Sequence, residues 1–312
     1  MKDIDVSAEI CGMTLDPGIL NASGIFSFVP VLKRLQGHFG GLVTKSVGYK
    51  ERDGYENPVF AQLSDKEYIN AVGLPNPGYR AMLEELFEAY PLRKPLIVSV
   101  FGSSIAEIRE MAREMQYACD GFEINLSCPH PRPGERVGRN LGSDPLAVEA
   151  FVDAVKRATK KPVIAKLSHS LDDLERAVRA CISAGADAIS STNTIGPTHS
   201  GSREIKWPAL SNVHGGLSGP GIRERGIESV RIIRKLAPDM PIIGMGGIES
   251  GRDVVEYVRA GADAVAIGTA FDRRNTQQVG EFMEWLVEDV KTELGKEGVG
   301  SMKQFRRRCH NV

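Results

Sequence analysis

One cysteine and two lysines occupy positions from which they could act on a bound molecule. Cys128 lies in the segment Asn125-Leu126-Ser127-Cys128-Pro129, directly after a short apolar run, and Lys45 and Lys166 each end a run of the same kind. A free thiol has a pKa of about 8.5, so it can remove a proton without being permanently ionised. A lysine in such a place holds a negatively charged group more often than it reaches into solvent. The structural alternatives are a solvated lysine and an inert buried cysteine.

The same pattern argues for an inert, buried role for three other cysteines, Cys11, Cys119 and Cys181. None of them follows an apolar run beside a proline-rich segment as Cys128 does. Buried cysteine usually behaves as a small apolar side chain. Cys128 is therefore the candidate base.

Three asparagines, Asn70, Asn125 and Asn193, lie within or just after segments with loop composition. A carboxamide offers a donor and an acceptor side by side, which is the set needed to hold the edge of a flat, urea-like ring. Capping a turn is the commoner role of asparagine and remains open for each of them.

Glycine pairs late in the chain predict a phosphate site. Gly246 and Gly247 follow one apolar run, and Gly268-Thr269 follows the next. Glycine lets backbone N–H groups approach a phosphate, and a following helix favours its negative charge. The segment Gly215-Gly216-Leu217-Ser218-Gly219-Pro220 could close the same cradle. Tight turns would explain each pair separately, and a phosphate site does not by itself distinguish FMN from a sugar phosphate.

Eight short apolar runs form the scaffold for these residues. They are rich in Val and Ile with little polar alternation, which is typical of strands buried on both faces. The order predicts an α/β fold, a (β/α)₈ TIM barrel with an N-terminal strand extension. An open doubly wound sheet is the alternative, but no Gly-x-Gly-x-x-Gly motif follows the first run. The predicted strands are 18–22, 41–44, 96–100, 121–126, 163–167, 188–191, 242–245 and 264–267, with helical periodicity over 106–117, 145–159, 172–184 and 251–260.

Three connections are long for such a fold: 47–95, 129–144 and 193–221. All three leave the carboxyl ends of predicted strands, where barrels place their chemistry, so we expect long functional loops on that face. No second domain is indicated, and residues 1–312 are expected to form one barrel domain.

Composition excludes several classes of protein. The net charge is −1, which argues against a nucleic-acid-binding protein, although four basic residues lie in the tail from Lys303 to Val312. No apolar run is long enough to span a membrane, and no targeting segment is evident, so a cytoplasmic protein is expected. Five cysteines without a Cys-x-x-Cys pair predict neither disulfides nor a metal or iron–sulfur site.

Taken together in their order, these motifs resemble the class 1 dihydroorotate dehydrogenases, up to about residue 290. The segment that runs from Asn70 through Ala71-Val72-Gly73-Leu74 to Gly78 is among the most specific parts of the resemblance. A membrane-bound, quinone-linked class uses serine as its base and carries an N-terminal extension, and this chain shows neither feature. The other matching motifs are Ala22-Ser23-Gly24, Thr44-Lys45-Ser46, Asn125 to Pro129, Lys166, Asn193-Thr194, the glycine-rich segment from Gly215 to Pro220, Gly246-Gly247 and Gly268-Thr269.

The resemblance implies an FMN enzyme that oxidises dihydroorotate to orotate in pyrimidine biosynthesis. Cys128 would take the C5 proton of the substrate while a hydride leaves C6 for the flavin. The FMN phosphate would be held by Gly219, Gly246, Gly247, Gly268 and Thr269, and the flavin ring by Ser23, Lys45, Ser46, Asn125, Lys166 and Thr192. The substrate would be bound by Lys45, Asn70, Ala71, Val72, Gly73, Leu74, Asn125, Asn193 and Thr194.

Two departures from the family pattern leave alternatives open. His130 replaces an asparagine that contacts the pyrimidine, and in this loop the chain also resembles dihydropyrimidine dehydrogenase. Ser99 replaces an asparagine of the third strand, which would alter one flavin contact. The intact segment from Asn70 to Asn76 favours dihydroorotate over uracil-type pyrimidines. A non-redox phosphate-binding barrel is the third hypothesis.

Partners follow from the same resemblance. Use of NAD would require a subunit that carries FAD and an iron–sulfur centre, because this chain has no cysteine cluster or nicotinamide motif. Fumarate or another soluble oxidant would not require that subunit. A homodimer is also expected.

Overall fold

Eight parallel strands form a barrel at the centre of the molecule, as the sequence predicts. The computed structural model describes residues 4–129, 134–135, 137–170, 172–201 and 208–310. Each strand pairs in parallel with its neighbours, and almost all of the strand residues are buried. The strands are β1 (Ile19–Asn21), β2 (Leu42–Val43), β3 (Leu96–Val100), β4 (Gly121–Asn125), β5 (Val163–Lys166), β6 (Ala188–Ser191), β7 (Ile242–Met245) and β8 (Ala264–Ile267).

Side chains complete the barrel where β1 meets β2. A bridge joins Leu20 to Gly41, and the amide of Asn21 donates to the Val43 carbonyl at 2.7 Å and accepts from the Val43 N–H at 3.0 Å. Next to β2, the hydroxyl of Thr44 accepts from the backbone N–H of Ser99 at 3.0 Å. These side chains replace backbone ladder partners, so β1 and β2 are shorter than the predicted 18–22 and 41–44.

Helices surround the barrel, and the four predicted helical segments are confirmed within one or two residues. Side chains cap the starts of three of them: Ser104, Asp144 and Ser250 accept hydrogen bonds from the first turns of their helices. The helices are α1 (Val29–Leu35), α2 (Tyr79–Ala89), α3 (Ile105–Met115), α4 (Arg139–Gly142), α5 (Pro145–Ala158), α6 (Leu174–Ser183), α7 (Arg223–Leu236), α8 (Gly251–Ala260), α9 (Thr276–Lys296) and α10 (Met302–His310).

An antiparallel hairpin of strands Ala8–Ile10 and Met13–Leu15 covers the amino-terminal end of the barrel. Leu15 and Met13 pack against Gly41 and Gly121, at the starts of β2 and β4. The predicted N-terminal strand extension is therefore confirmed.

The long connections contain a second sheet, which the sequence did not predict. Its order is Ile195–His199, His214–Ser218, Glu67–Asn70 and Phe60–Ser64, all antiparallel. A further strand pair joins Glu51–Arg52 to Asn76–Pro77. The long loops at the carboxyl face thus have a regular structure of their own.

Two further features concern the ends of the chain and its surface. In the described part of the chain, no helix is both long and apolar enough to cross a membrane. Two of the four basic residues of the tail form intramolecular ion pairs, Arg306 with Asp263 and Arg308 with Glu297. These pairs support a structural role for the tail.

Candidate active site

A cavity of about 450 Å³ lies between the carboxyl ends of the barrel strands and the second sheet. This volume is typical of a cofactor or substrate pocket. Two of the candidate residues, Ala71 and Ser99, are buried but do not line it. The candidates that do line it are Ser23, Lys45, Ser46, Asn70, Val72, Gly73, Leu74, Asn125, Cys128, Lys166, Thr192, Asn193, Thr194, Gly219, Gly246, Gly247, Gly268 and Thr269.

One part of the cavity wall has the form of a phosphate cradle. Gly247 has φ +69° and Gly219 has φ +90°, and a side chain on Gly247 would meet the Gly219 carbonyl at 2.7 Å. The turn after β7 and the glycine-rich segment therefore approach each other as only glycine allows. The buried hydroxyl of Ser218 has no hydrogen-bond partner among the described residues. An unsatisfied hydroxyl beside two glycine turns fits a phosphate-bearing cofactor such as FMN.

The thiol of Cys128 is buried at the cavity wall, with 8% of the residue exposed. It packs in a small cluster with Leu74, Phe101 and Val137. The cluster joins the loop after β4 to the segment Val72-Gly73-Leu74. Cys128 therefore lies beside the segment proposed to bind substrate.

The three cysteines expected to be inert have a different character, with Cys119 and Cys181 buried and Cys11 half-buried. Burial raises the pKa of the Cys119 and Cys181 thiols to about 12. Burial, with the charge of Asp187, does the same for Cys11. None of the three lines the cavity. These thiols remain protonated at neutral pH, which agrees with the inert role expected for them.

The ammonium of Lys45 lies at the cavity wall, near Cys128 and Lys166. Burial lowers its pKa, a negative charge on Cys128 raises it, and the positive charge of Lys166 lowers it further. Lys45 and a Cys128 thiolate therefore favour each other's charged form. A positive group is thus available at the cavity to hold an anion.

The asparagines at the cavity are linked in a network. Asn193 donates to the Asn125 side-chain oxygen at 3.1 Å and to the Ser127 hydroxyl at 3.2 Å. Asn125 donates in turn to the Ser46 hydroxyl at 3.0 Å. Asn70 approaches from the second sheet and donates to the Gly216 carbonyl at 3.4 Å. The network fixes carboxamide groups on both sides of the cavity, which suits recognition of a flat polar ring.

A buried carboxylate behind the cavity was not predicted. Glu123 lies in the middle of β4 with 3% of the residue exposed, and its Oε1 is 3.5 Å from the Lys166 Nζ. The signal in the sequence was a charged residue inside the otherwise uncharged strand Gly121-Phe122-Glu123-Ile124-Asn125.

A second residue missed from the sequence is Arg52, which ties two functional loops together. Its Nε donates to the Gly73 carbonyl at 2.7 Å, and its two terminal nitrogens bind the Glu135 carboxylate at 2.7 and 2.9 Å. Gly73 belongs to the proposed substrate segment, and Glu135 belongs to the loop that follows Cys128. His130, the departure in this loop, lies outside the described residues.

Fold and site together define a class of protein. A closed parallel barrel carries a phosphate cradle, two lysines, paired asparagines and a cysteine on its carboxyl face. This set fits a barrel enzyme with a phosphate-bearing cofactor and a polar ring substrate. The described residues hold no cluster of three or more His, Cys, Asp or Glu side chains suited to a metal ion.

Comparison with known proteins identifies the family. The family model described as dihydroorotate dehydrogenase matches residues 5–290, and the chain belongs to this family. The chain is 39% identical over 302 residues to a protein of Thermococcus kodakarensis, covering 96% of both chains. It is 40% identical over 306 residues to one of Pyrococcus furiosus, covering 97% of this chain and 98% of the relative. Both relatives are named the catalytic subunit of dihydroorotate dehydrogenase B (NAD(+)).

The family assignment decides between the three hypotheses left open by the sequence. The chain is an FMN-dependent oxidoreductase that oxidises dihydroorotate to orotate in pyrimidine biosynthesis. The comparisons do not favour the reduction of uracil-type pyrimidines or a non-redox barrel.

Proposed function

We propose that Cys128 is the catalytic base and that the chain works as the catalytic subunit of an NAD-linked complex. The base role of Cys128 is supported by the position of its thiol. The thiol lies at the cavity wall beside the segment Val72-Gly73-Leu74, and it interacts electrostatically with Lys45. The names of the relatives carry the second part.

The substrate carboxylate pairs with Lys45, supported by backbone N–H groups of Val72, Gly73 and Leu74. Asn70, Asn125 and Asn193 hold the ring edge through donor and acceptor pairs, with Thr194 beside them. Ala71 contributes through its buried backbone position, because it packs behind the cavity with Ile69 and Leu210.

The chemistry at the substrate is an oxidation in which C5 loses a proton and C6 loses a hydride. FMN supplies the hydride acceptor. The Cys128 thiolate takes the C5 proton and becomes a thiol, so charge and atoms balance.

The cofactor is held in two parts. Gly219, Gly246, Gly247, Gly268 and Thr269 hold the phosphate, and the unsatisfied Ser218 hydroxyl adds a donor. The residues that would face the ring all line the cavity: Ser23, Lys45, Ser46, Asn125, Lys166 and Thr192. Ser99 acts behind the wall instead of on it, since its hydroxyl binds the Ser46 hydroxyl at 2.9 Å.

Electrons leave the enzyme for NAD through a second subunit that carries FAD and an iron–sulfur centre. The test is to purify this chain alone and to supply dihydroorotate with either NAD or an artificial dye. We expect dye reduction without NADH formation. An extract fraction from the source organism should then restore NADH formation. NAD reduction by the chain alone would contradict the need for a partner.

Two further proposals concern cellular context. The five cysteines are all free thiols, which supports a reducing compartment such as the cytoplasm. The homodimer stays a prediction, and sedimentation of the purified chain would test it.

A further inference from the structure

The Glu123 carboxylate connects to three other barrel strands. Its Oε1 accepts from the Ser99 hydroxyl of β3 at 3.1 Å and lies 3.5 Å from the Lys166 Nζ of β5. Its Oε2 accepts from the Ser190 hydroxyl of β6 at 3.0 Å. Glu123 itself does not line the cavity.

The fold alone gives no reason for a carboxylate at this place. Barrel interiors are usually filled with Val, Ile and Leu, and a buried ion pair can often be replaced by apolar residues without loss of stability. The Lys166 side chain is 5% exposed and that of Glu123 is 4% exposed, so both charges are taken out of water. The pair therefore calls for a functional explanation.

Two sets of contacts, called arms below, connect Glu123 to residues that line the cavity. The first is Lys166, which lines the cavity directly. The second is a chain of hydroxyls, from Ser99 to Ser46 at 2.9 Å and from Ser46 to Ser23 at 3.1 Å. Ser46 and Ser23 both line the cavity.

The carboxylate fixes the direction of every hydrogen bond in the hydroxyl arm. An ionised carboxylate only accepts, so the single proton of Ser99 goes to Glu123. Ser46 must then donate to Ser99, and it accepts from the Ser23 hydroxyl and from the Asn125 amide. The Ser23 hydroxyl thus donates its hydrogen bond to Ser46, and towards the cavity it can only accept one.

The carboxylate also offsets the positive charge of one of the two lysines at the cavity. Lys45 and Lys166 both line the cavity, and Glu123 lies against Lys166. A bound flavin ring would gain one negative charge on accepting a hydride. Glu123 partly cancels the positive charge of Lys166. The net charge of this pair therefore controls how strongly the cavity stabilises the reduced, negatively charged ring relative to the oxidised ring.

We propose that Glu123 is a positioning residue that sets the place and effective charge of Lys166 and the hydrogen-bond direction of the Ser99–Ser46–Ser23 arm, and thereby tunes the reduction potential of bound FMN. The inference rests on the proposed placement of the FMN ring beside Lys166 and Ser46. The inference concerns the reduction potential of bound FMN when no substrate is present.

The test is the midpoint potential of FMN in the purified holoenzyme, measured by equilibration with a reference dye. Glu123→Gln keeps the size of the side chain and removes its charge. We expect the variant to favour reduced over oxidised FMN roughly tenfold more than the parent does, which is a rise of about 30 mV for a two-electron couple. Ser190→Ala removes one hydrogen bond but no charge, and should leave the potential close to that of the parent.

A second pair of variants covers the case in which Glu123→Gln fails to fold because Lys166 is left unpaired. Lys166→Gln and the double variant Lys166→Gln/Glu123→Gln contain no unpaired buried ammonium at this site. The double variant should still show the higher potential of the two. The comparisons are the parent with Glu123→Gln, and Lys166→Gln with the double variant. Equal FMN potentials within each of these pairs that binds FMN would overturn the inference and leave Glu123 a structural residue.

These outcomes are separable from those of the proposed function. A failure of the proposed function would show as absent dihydroorotate turnover in the parent, or as turnover that Cys128→Ala leaves unchanged. A failure of the Glu123 inference shows only in the comparison of potentials. A purely structural Glu123 would lower the melting temperature or the FMN content but not move the potential of the FMN that remains bound.

Discussion

Charged side chains are paired differently at the two ends of the barrel. At the amino-terminal end, Asp187 accepts from the Val163 N–H at 2.7 Å and pairs with Lys156 at 2.7 Å. Asp263 repeats the arrangement with the Ile242 N–H at 2.9 Å and with Arg234 at 2.8 Å. Each carboxylate there holds the start of the preceding strand and is paired directly with a cation, and Asp263 also pairs with Arg306.

At the carboxyl end, cations outnumber the carboxylates that face them. Lys45 and Lys166 line the cavity, and Glu123 lies behind the wall against Lys166. The amino-terminal end therefore satisfies its charges within the protein, whereas the carboxyl end keeps positive charge for an anionic ligand. The contrast teaches that cations paired directly with protein carboxylates mark the stabilising end of the barrel, whereas the catalytic end places cations at a cavity where a ligand can meet them.

Two cysteines give the sharpest test of this contrast, because Cys119 precedes β4 and Cys128 follows it. Cys128→Ala should lower turnover by about 10²–10⁴-fold, since a general base is lost, while FMN and orotate still bind. Steady-state kinetics and FMN content would measure both effects. Cys119→Ala is the control and should keep the parental turnover for each bound FMN. Near-normal activity of Cys128→Ala would show that the base lies elsewhere.

Substrate choice should depend on the excess cation at the carboxyl end. The parent should prefer dihydroorotate over dihydrouracil by at least about 10²-fold in kcat/KM, because a neutral ring leaves Lys45 unpaired. Lys45→Ala should remove most of this preference. The exposed Lys50 provides a matched control, and Lys50→Ala should keep it. Equal kcat/KM for both substrates in the parent would show that Lys45 does not recognise the carboxylate of dihydroorotate.

The pH profile should reveal the same lysine. Burial lowers the pKa of Lys45, so as pH rises the ammonium loses its proton earlier than an ordinary lysine and the carboxylate loses its partner. We therefore expect kcat/KM to fall on the alkaline side as Lys45 loses its proton. In Lys45→Arg the group stays charged, so the alkaline fall should move to higher pH. An alkaline fall at the same pH in both proteins would assign it to another group.

Changes at the amino-terminal end should affect stability without affecting chemistry. Asp187→Ala removes the partner of Lys156 and of the Val163 N–H, and should cost about 1–3 kcal/mol of unfolding free energy. Asp187→Asn keeps an acceptor for the N–H and should cost less. Denaturant unfolding would measure the difference, and kcat/KM of the folded protein should match the parent in both. A loss of kcat/KM at constant FMN content would contradict the separation of the two ends.

The barrel could be predicted from the sequence because its strands are buried on both faces and therefore read as uninterrupted apolar runs. Lys166 and Cys128 stood out since each follows such a run. Glu123 was missed because one charged residue within a strand does not show which neighbours satisfy it. The link from Arg52 to Gly73 and Glu135 was missed because it joins loops that lie far apart in the sequence.

The position of Ser99 shows a second limit of sequence reasoning. Its place in β3 was known, but alternation along a strand buried on both faces does not reveal which residues reach the cavity. The structure places Ser99 behind Ser46, in the hydroxyl arm of Glu123. The second sheet was missed for a related reason, because its pairing of Asn70 with Gly216 depends on contacts between two separate loops.

The central claim is that the cavity at the carboxyl end binds FMN and transfers electrons to it from dihydroorotate. The most direct test is to mix the purified protein with dihydroorotate in the absence of oxygen and to follow the visible absorbance of the flavin. We predict a yellow protein with one non-covalent FMN per chain, bleached rapidly by dihydroorotate and only slowly in Cys128→Ala. A colourless protein that does not take up added FMN, or a bound flavin that dihydroorotate leaves oxidised, would contradict the account.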